Sequence, residues 1–176
     1  TRRSSDLVDP QGRVMHVSSF SKCLAPGYRI GWVAAGRYAG LIQRQKLSTS
    51  LATTVPVQIA MADYLRQGGY ENHLRHLRRS LAAQEAALVA AIEAHFPEGT
   101  RLARPQGGYF LWLELPRRVD ALALHRQALA HGISIAPGPI FSAKREFGHC
   151  IRLNFGHPVD ARSLDAVATL GRLLAA

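Results

Sequence analysis

The sequence predicts an α/β protein built from part of a larger sheet, a long linking helix and a small α/β sandwich. Two short apolar runs, at 14–17 and 30–35, flank a connection that carries Lys22, and runs of this length bounded by turn residues indicate strands. A long helical pattern follows at 70–96. Beyond Pro97 the periodicity changes to the order β-β-α-β-β-α, which is typical of a two-layer α/β sandwich.

The part before the long helix is predicted to contain two strands and two helices. Because each strand is a short continuous apolar run, we expect both strands to be buried in one sheet. Thr54 and Pro56 mark the start of the second helix, and the pair Gly68-Gly69 marks its end. The predicted elements are a loop at 1–13 that turns at Asp9-Pro10-Gln11-Gly12, strands at 14–17 and 30–35, and helices at 37–51 and 54–65.

The long helix and the small domain are predicted from apolar stripes and helix caps. Apolar side chains recur along the helix at three- and four-residue steps. Asp120 and Asp160 stand where helix N-caps are expected, and Gly132 stands where the first of these two helices would end. The predicted elements are strands at 100–103, 109–115, 133–136 and 150–155, a stiff loop at 137–141, a helix at 120–131, and a last helix from 160 with Leu164, Val167, Ala168, Gly171 and Leu174 facing inward.

The composition indicates a globular protein with a basic surface. The chain has 176 residues, 47% of them hydrophobic, and no apolar run near the ~20 residues that span a bilayer. Two cysteines are too few for a disulfide framework or a metal cluster, so we expect no metal and a reducing, cytoplasmic setting. The N-terminal residues show no basic-then-apolar pattern, so we expect no secretion leader. The formal net charge of +10 allows either a polyanionic partner such as DNA or an arginine-rich composition without one. Because the chain begins with Thr1, we expect it to be a piece of a longer protein.

The connection between the first two strands has the residue types that a phosphate-bearing aldehyde requires. A lysine amine becomes a nucleophile towards aldehydes when burial or a nearby positive charge disfavours its ammonium form. Lys22 has apolar neighbours and Arg29 close in sequence. Serine hydroxyls, including those of Ser19 and Ser21, together with a guanidinium group suit a phosphate monoester. Pyridoxal 5'-phosphate (PLP) carries both an aldehyde and a phosphate, and the alternative is a surface lysine in a serine-rich loop.

The same connection resembles a known cofactor motif. The stretches 19–22 (Ser-Phe-Ser-Lys) and 26–31 (Pro-Gly-Tyr-Arg-Ile-Gly) are similar to the cofactor-lysine motif of class I/II aminotransferases, which are PLP enzymes of fold type I. Cys23 follows the lysine at a position where that family more often has threonine or another small residue. The resemblance implies that Lys22 is the catalytic lysine whose amine condenses with PLP, and that Ser19, Ser21 and Arg29 hold the cofactor phosphate.

The second half of the chain adds further parts of this resemblance. The strand at 151–155 (Ile-Arg-Leu-Asn-Phe) is similar to the family strand whose arginine binds the α-carboxylate of the substrate, which implies that role for Arg152. The stretches 105–110 and 137–141 resemble landmarks at the mouth of the cofactor cleft. From the residues alone, a salt bridge between Arg152 and a helix carboxylate is the alternative.

The resemblance implies the C-terminal half of a fold type I PLP-dependent transferase with only part of its site. It divides the chain into a partial PLP-binding large domain at 1–69, a linking helix at 70–97 and a small C-terminal α/β domain at 98–176. The family residues that precede the lysine, such as the aspartate at the pyridine nitrogen, have no counterpart here. We therefore expect little turnover by this piece, and we expect the edges of its first two strands to be covered by another chain or poorly ordered.

Three classes of function compete. The stretches 131–142, 152–158 and 168–172 most resemble the MocR-type branch of the GntR-family transcriptional regulators. That resemblance implies a homodimeric effector-sensing domain for an amino acid or amine, with DNA bound by an absent N-terminal winged-helix domain. The second class is a free-standing PLP-dependent aminotransferase that acts on α-amino acids. The third is a protein-interaction domain that has lost the cofactor, and the presence of the lysine and both arginines argues against it.

Overall fold

The structure is a computed structural model that describes residue 9 and residues 11–175. These residues form two compact units, one up to Leu77 and one from Arg78. The boundary between the units lies inside a long helix, and each unit has its own sheet. The strands are β1 (His16–Ser19), β2 (Gly31–Ala34), β3 (Arg101–Ala103), β4 (Phe110–Glu114), β5 (Ala136–Pro137) and β6 (Cys150–Asn154), and the α-helices are α1 (Ala39–Ser50), α2 (Val55–Arg66), α3 (Gly69–His95), α4 (Ala121–Ala130) and α5 (Ala161–Ala175).

The first unit begins with a β-hairpin. β1 and β2 pair antiparallel, with Ser19 opposite Gly31, which confirms that the two runs belong to one sheet. The first strand lies two residues later than predicted and includes Ser18 and Ser19. The predicted burial of the strands is wrong, because Val17 is 71% exposed. A strand is buried only where other elements cover its faces, and in the described residues this sheet has two strands.

The helices of the first unit follow the sequence prediction closely. A 3-10 turn at Gly36–Tyr38 precedes α1. Helix α2 starts directly after Thr54 with a proline in its first turn, where the missing proline N–H has no helical partner to lose. Gly68 follows α2 with φ +75°, a left-handed conformation that glycine adopts without strain. The predicted turn is present, since the Gly12 N–H donates to the Asp9 carbonyl at 3.1 Å. Residues 1–8 and Pro10 of the loop predicted at 1–13 lie outside the described residues.

The second unit is a four-stranded antiparallel sheet with a core on one face. The strand order is β3-β4-β6-β5, and the register places Leu111 opposite Leu153 and Leu113 opposite Ile151. Residues directly opposite each other share a face, so these four side chains form one apolar layer. Burial of each such side chain stabilises the fold by about 1.5–3 kcal/mol. The helical side chains buried in the same core are Leu88, Val89 and Ile92 of α3, Ala121, Leu124 and Ala128 of α4, and Val167, Leu170 and Leu174 of α5.

The order β-β-α-β-β-α and both helix caps of the small domain are confirmed. Asp120 Oδ1 accepts hydrogen bonds from the Leu122 and Ala123 N–H groups at 2.8 and 3.3 Å, and Asp160 Oδ1 accepts one from the Ser163 N–H at 2.8 Å. These bonds satisfy N–H groups that a helix start leaves without partners.

Three details of the small domain differ from prediction. The strand expected at 133–136 starts only at Ala136, where β5 meets β6. The loop at 137–141 contains a 3-10 helix, Gly138–Phe141. Leu164 is 42% exposed instead of inward, because it lies in the first turn of α5, before the turns that meet the core. Within the described residues, no helix combines the length and the apolar character that crossing a membrane requires.

Candidate functional site

Lys22 lies in the turn at 21–24, within the connection between β1 and β2. The Phe20 N–H donates to the Ile30 carbonyl at 2.9 Å and closes the end of the hairpin. The Leu24 and Ala25 N–H groups both donate back to the Phe20 carbonyl, at 2.9 and 3.2 Å, so the backbone around Lys22 is held by its own hydrogen bonds. The Lys22 side chain is exposed, and among the described residues its amine has no hydrogen-bond or ion-pair partner. The amine is therefore available to a ligand.

The three predicted phosphate-binding residues form one hydrogen-bonded group. Arg29 Nη1 donates to Ser21 Oγ at 3.4 Å, the Ser21 N–H donates to Ser19 Oγ at 3.1 Å, and Ser19 Oγ donates to the Ile30 carbonyl at 3.3 Å. Arg29 has φ +51°, an uncommon conformation for a residue with a side chain, and it ends the 3-10 helix Pro26–Tyr28. Two hydroxyls and a guanidinium group within one turn are the donor set that a phosphate monoester requires, so these residues fit the phosphate of PLP.

The start of α3 holds the lysine turn from a second side. Cys23 Sγ lies 3.1 Å from the Tyr70 hydroxyl, and His73 Nε2 lies 2.9 Å from the Cys23 carbonyl. The Phe20 and Tyr70 rings meet edge to face, with centroids 5.9 Å apart. Tyr70 and His73 were not among the site residues predicted from the sequence. The two residues are one helical turn apart at the start of the long helix, which places them on one face. No local pattern links that face to Cys23.

Arg152 lies on β6 of the second unit and is half-buried. Its guanidinium carbon lies 4.0 Å from the centroid of the Phe110 ring and 4.4 Å from that of Phe141, over the face of each. In the described part of the chain Arg152 forms no ion pair, so the alternative of a salt bridge to a helix carboxylate is not found there. Contacts between a guanidinium group and ring faces leave its N–H donors free, and these donors suit a carboxylate.

The position of Phe141 is determined by close backbone packing. A Cβ atom at Gly138 would overlap the Phe147 carbonyl oxygen and lie 2.9 Å from the Cys150 carbonyl oxygen, so only glycine lets the 3-10 helix approach this loop. The Trp112 ring contacts both Phe141 and Phe147 edge to face, with centroid distances of 5.7 and 5.5 Å. The aromatic side chains on this face of the sheet therefore support one another.

The predicted site residues divide between the two units. Ser19, Ser21, Lys22 and Arg29 come together in the β1–β2 hairpin of the first unit, and Arg152 lies on the sheet of the second. The hairpin therefore brings together an amine, two hydroxyls and a guanidinium group, and the sheet of the second unit carries a separate guanidinium group.

Known proteins are similar in sequence to this chain over nearly its whole length. The family model described as aminotransferase class I and II matches residues 3–168. The uncharacterized HTH-type transcriptional regulator YdcR of Escherichia coli is 45% identical over 166 residues, which are 94% of this chain and 36% of YdcR. Aromatic-amino-acid aminotransferase 1 of Thermococcus litoralis is 30% identical over 167 residues, which are 94% of this chain and 40% of that protein.

A solved structure shares the fold. The crystal structure of Pyrococcus horikoshii kynurenine aminotransferase, in complex with PMP, matches with a TM-score of 0.85 at 33% identity, over 96% of this chain and 42% of that chain. PMP is the amine form of PLP, and pyridoxal 5'-phosphate is the cofactor that this family indicates. The chain spans less than half the length of each of these relatives and has the α/β fold of a fragment of fold type I. It belongs to the aminotransferase class I and II family.

Proposed function

We propose that the chain is the C-terminal part of a PLP-binding aminotransferase-like domain that senses an effector in a MocR/GntR-type transcriptional regulator. The hydrogen-bonded group of Ser19, Ser21 and Arg29, in the same connection as the exposed Lys22, carries the cofactor part of this proposal. The regulator part is supported by 45% identity to an HTH-type regulator, against 30% to an aminotransferase.

The proposed division of labour follows the chain. Residues 1–69 would form part of the large cofactor-binding domain, residues 70–97 the linking helix and residues 98–176 the small domain. Lys22 would bind the cofactor aldehyde, and the hydroxyls of Ser19 and Ser21 and the guanidinium of Arg29 would bind its phosphate. Arg152 would bind the carboxylate of the ligand.

The chemistry of the site would depend on where protons and charges are held. Bound PLP supplies an electron sink for the carbon next to an amino group. Lys22 Nζ would take up and return the proton of that carbon as general base and acid.

The partners proposed for the whole protein follow from the regulator branch. The ligand would be an amino acid or amine, the assembly a homodimer in the cytoplasm, and the DNA contact would belong to a winged-helix domain in the N-terminal part. The net charge of +10 supports additional contacts between this domain and DNA phosphates.

The second candidate is a free-standing aminotransferase acting on α-amino acids. The match to the kynurenine aminotransferase structure, at 33% identity and a TM-score of 0.85, supports it. The two candidates share the same site residues and differ in whether the full-length protein binds DNA. A mobility-shift assay on the parent protein with its own promoter region, with and without PLP, separates them, because PLP-dependent binding is expected only of the regulator.

Cofactor trapping tests the site itself. The full-length parent is mixed with PLP, reduced with borohydride and digested, and the modified peptide is mapped. We expect a pyridoxyl group on Lys22, which is lost in the Lys22→Ala variant. The control variant is Lys46→Arg, which removes another exposed lysine and should keep the adduct on Lys22. A parent protein with no adduct on Lys22 would refute the cofactor assignment and bring the interaction-domain hypothesis forward.

A further inference from the structure

Aromatic rings approach the guanidinium of Arg152 from β4 and from the 3-10 helix that follows β5. β6 lies between β4 and β5 in the sheet. Phe110 belongs to β4, and Phe141 lies in the 3-10 helix that directly follows β5. The two ring faces lie 4.0 and 4.4 Å from the guanidinium carbon. Neither ring offers a hydrogen bond, so both contacts act on the orientation of the cationic group.

Ring faces restrict the space around a guanidinium group in a particular way. The face of an aromatic ring carries partial negative charge, which attracts a cation and repels an anion. The N–H donors of a guanidinium group lie in its plane and form a fork that matches the two oxygens of a carboxylate. A planar carboxylate can lie in that plane. A tetrahedral anion has oxygens outside that plane, and an oxygen displaced towards Phe110 or Phe141 would approach a ring face that repels it.

We propose that Phe110 and Phe141 are positioning and selectivity residues, which orient Arg152 for a planar carboxylate and disfavour tetrahedral anions. This inference rests on the proposed function in one respect, that Arg152 receives the carboxylate of the ligand. It extends that function by separating the ligand carboxylate from phosphate-bearing anions, which the Arg29 group would bind. The packing of Gly138 against the loop at 147–150 and the contact of Trp112 with Phe141 keep the second ring in place.

The rate of chemical modification of Arg152 tests its contacts with the two rings, and this assay does not require the cofactor. The full-length parent is treated with phenylglyoxal, a dicarbonyl that reacts with guanidinium groups, and the modification of each arginine is followed by peptide mapping. We expect Phe110→Leu and Phe141→Leu each to speed modification of Arg152 by roughly three- to tenfold, the change that loss of one cation–π contact produces. Tyrosine at either position keeps a ring face and should restore the slow rate, and Arg126, an exposed arginine on α4, is the internal control.

Protection by simple anions tests the selectivity. Acetate and methanesulfonate are monoanions of planar and tetrahedral shape, respectively. In the parent we expect acetate to protect Arg152 at severalfold lower concentration than methanesulfonate, and we expect that preference to disappear in the two leucine variants. Because Phe141 is 41% exposed, Phe141→Leu is the variant expected to keep the fold, and its thermal unfolding is measured alongside.

The outcomes separate this inference from the proposed function. Equal protection by the two anions in the parent, or unchanged modification of Arg152 in the leucine variants, overturns the inference even where borohydride traps PLP on Lys22. Loss of the preference only in the leucine variants, with rescue by tyrosine, supports it even where the protein fails to bind PLP.

Discussion

Replacement of Gly171 by alanine tests whether α5 packs directly against the end of α3. Gly171 is buried in α5, directly before the last turn of that helix. A Cβ atom at this position would overlap the His95 carbonyl oxygen and lie 2.9 Å from the His95 carbonyl carbon. Real Cβ atoms do not approach backbone so closely, and a backbone carbonyl cannot rotate away as a long side chain can. The two helices would therefore have to move apart.

Two effects of opposite sign determine the size of the change. Alanine in place of glycine in a helix interior ordinarily stabilises by ~1 kcal/mol. Forcing an extra carbon into a close-packed interior destabilises by about 1–3 kcal/mol. Because the contact at His95 is with backbone, we expect the upper part of that range and a net loss of about 1–2 kcal/mol in the free energy of unfolding. For a unit of this size the melting temperature should fall by at least about 4 °C.

The assay is urea unfolding followed by the fluorescence of Trp112, which lies in the second unit, in a Trp32→Phe background that removes the tryptophan of the first unit. Gly107→Ala is the matched control in the same unit, since a Cβ there has no neighbour within 4 Å and φ is not positive. We expect the control to be neutral or stabilising by up to about 1 kcal/mol. A Gly171→Ala protein as stable as the parent would refute the reasoning.

Three further predictions concern acid sensitivity, thiol reactivity and association. Hydrogen bonds from the Ser163 N–H and hydroxyl lower the pKa of Asp160, so its stabilising effect is present above the ordinary aspartate pKa of about 3.9 and is lost as the pH falls through the lowered folded value. An asparagine at this position can still cap the helix but does not titrate. The difference in unfolding free energy between Asp160→Asn and the parent should therefore be constant above pH ~5 and change below it. A difference that stays constant down to pH ~2 would contradict this. Burial, and next the Glu114 carboxylate, raise the pKa of the Cys150 thiol, so iodoacetamide should alkylate Cys23 in the native chain and reach Cys150 only after denaturation, whereas equal rates would contradict its burial. Because the first two strands form an exposed two-stranded sheet, the isolated chain should self-associate in sedimentation velocity, and a compact monomer would count against the idea that other parts of the protein cover this sheet.

Local features of the fold were predictable from sequence because their causes are local. An aspartate before an apolar helical pattern predicts a cap whatever the remainder of the protein does, and the Asp120 and Asp160 caps are confirmed. Along 109–115, Tyr and Leu residues alternate with Phe, Trp and Glu, which predicts that the leucines share the more buried face of the strand. Leu111 and Leu113 are fully buried. The strand predicted at 133–136 was mostly wrong, since pairing with β6 begins at Ala136 and pairing depends on a distant partner.

Burial of the first two strands was not predictable from their own residues. Val17 has the apolar neighbours that a buried strand has, yet it is 71% exposed. Apolar residues make burial of a strand favourable. A strand is buried only where other elements of the protein cover its faces. In the described residues this sheet has two strands, and Val17 stays exposed.

The sequence by itself determined the helices and their caps, the order of helices and strands along the chain and the lysine motif, because periodicity, capping residues and turn residues act over a few neighbours. Only the tertiary structure decided the surroundings of the site residues. Tyr70 meets Cys23 across 47 residues, and Phe110 and Phe141 meet Arg152 because strand register brings separate segments together. Such contacts depend on the packing of elements far apart in the chain, and no local pattern encodes their geometry.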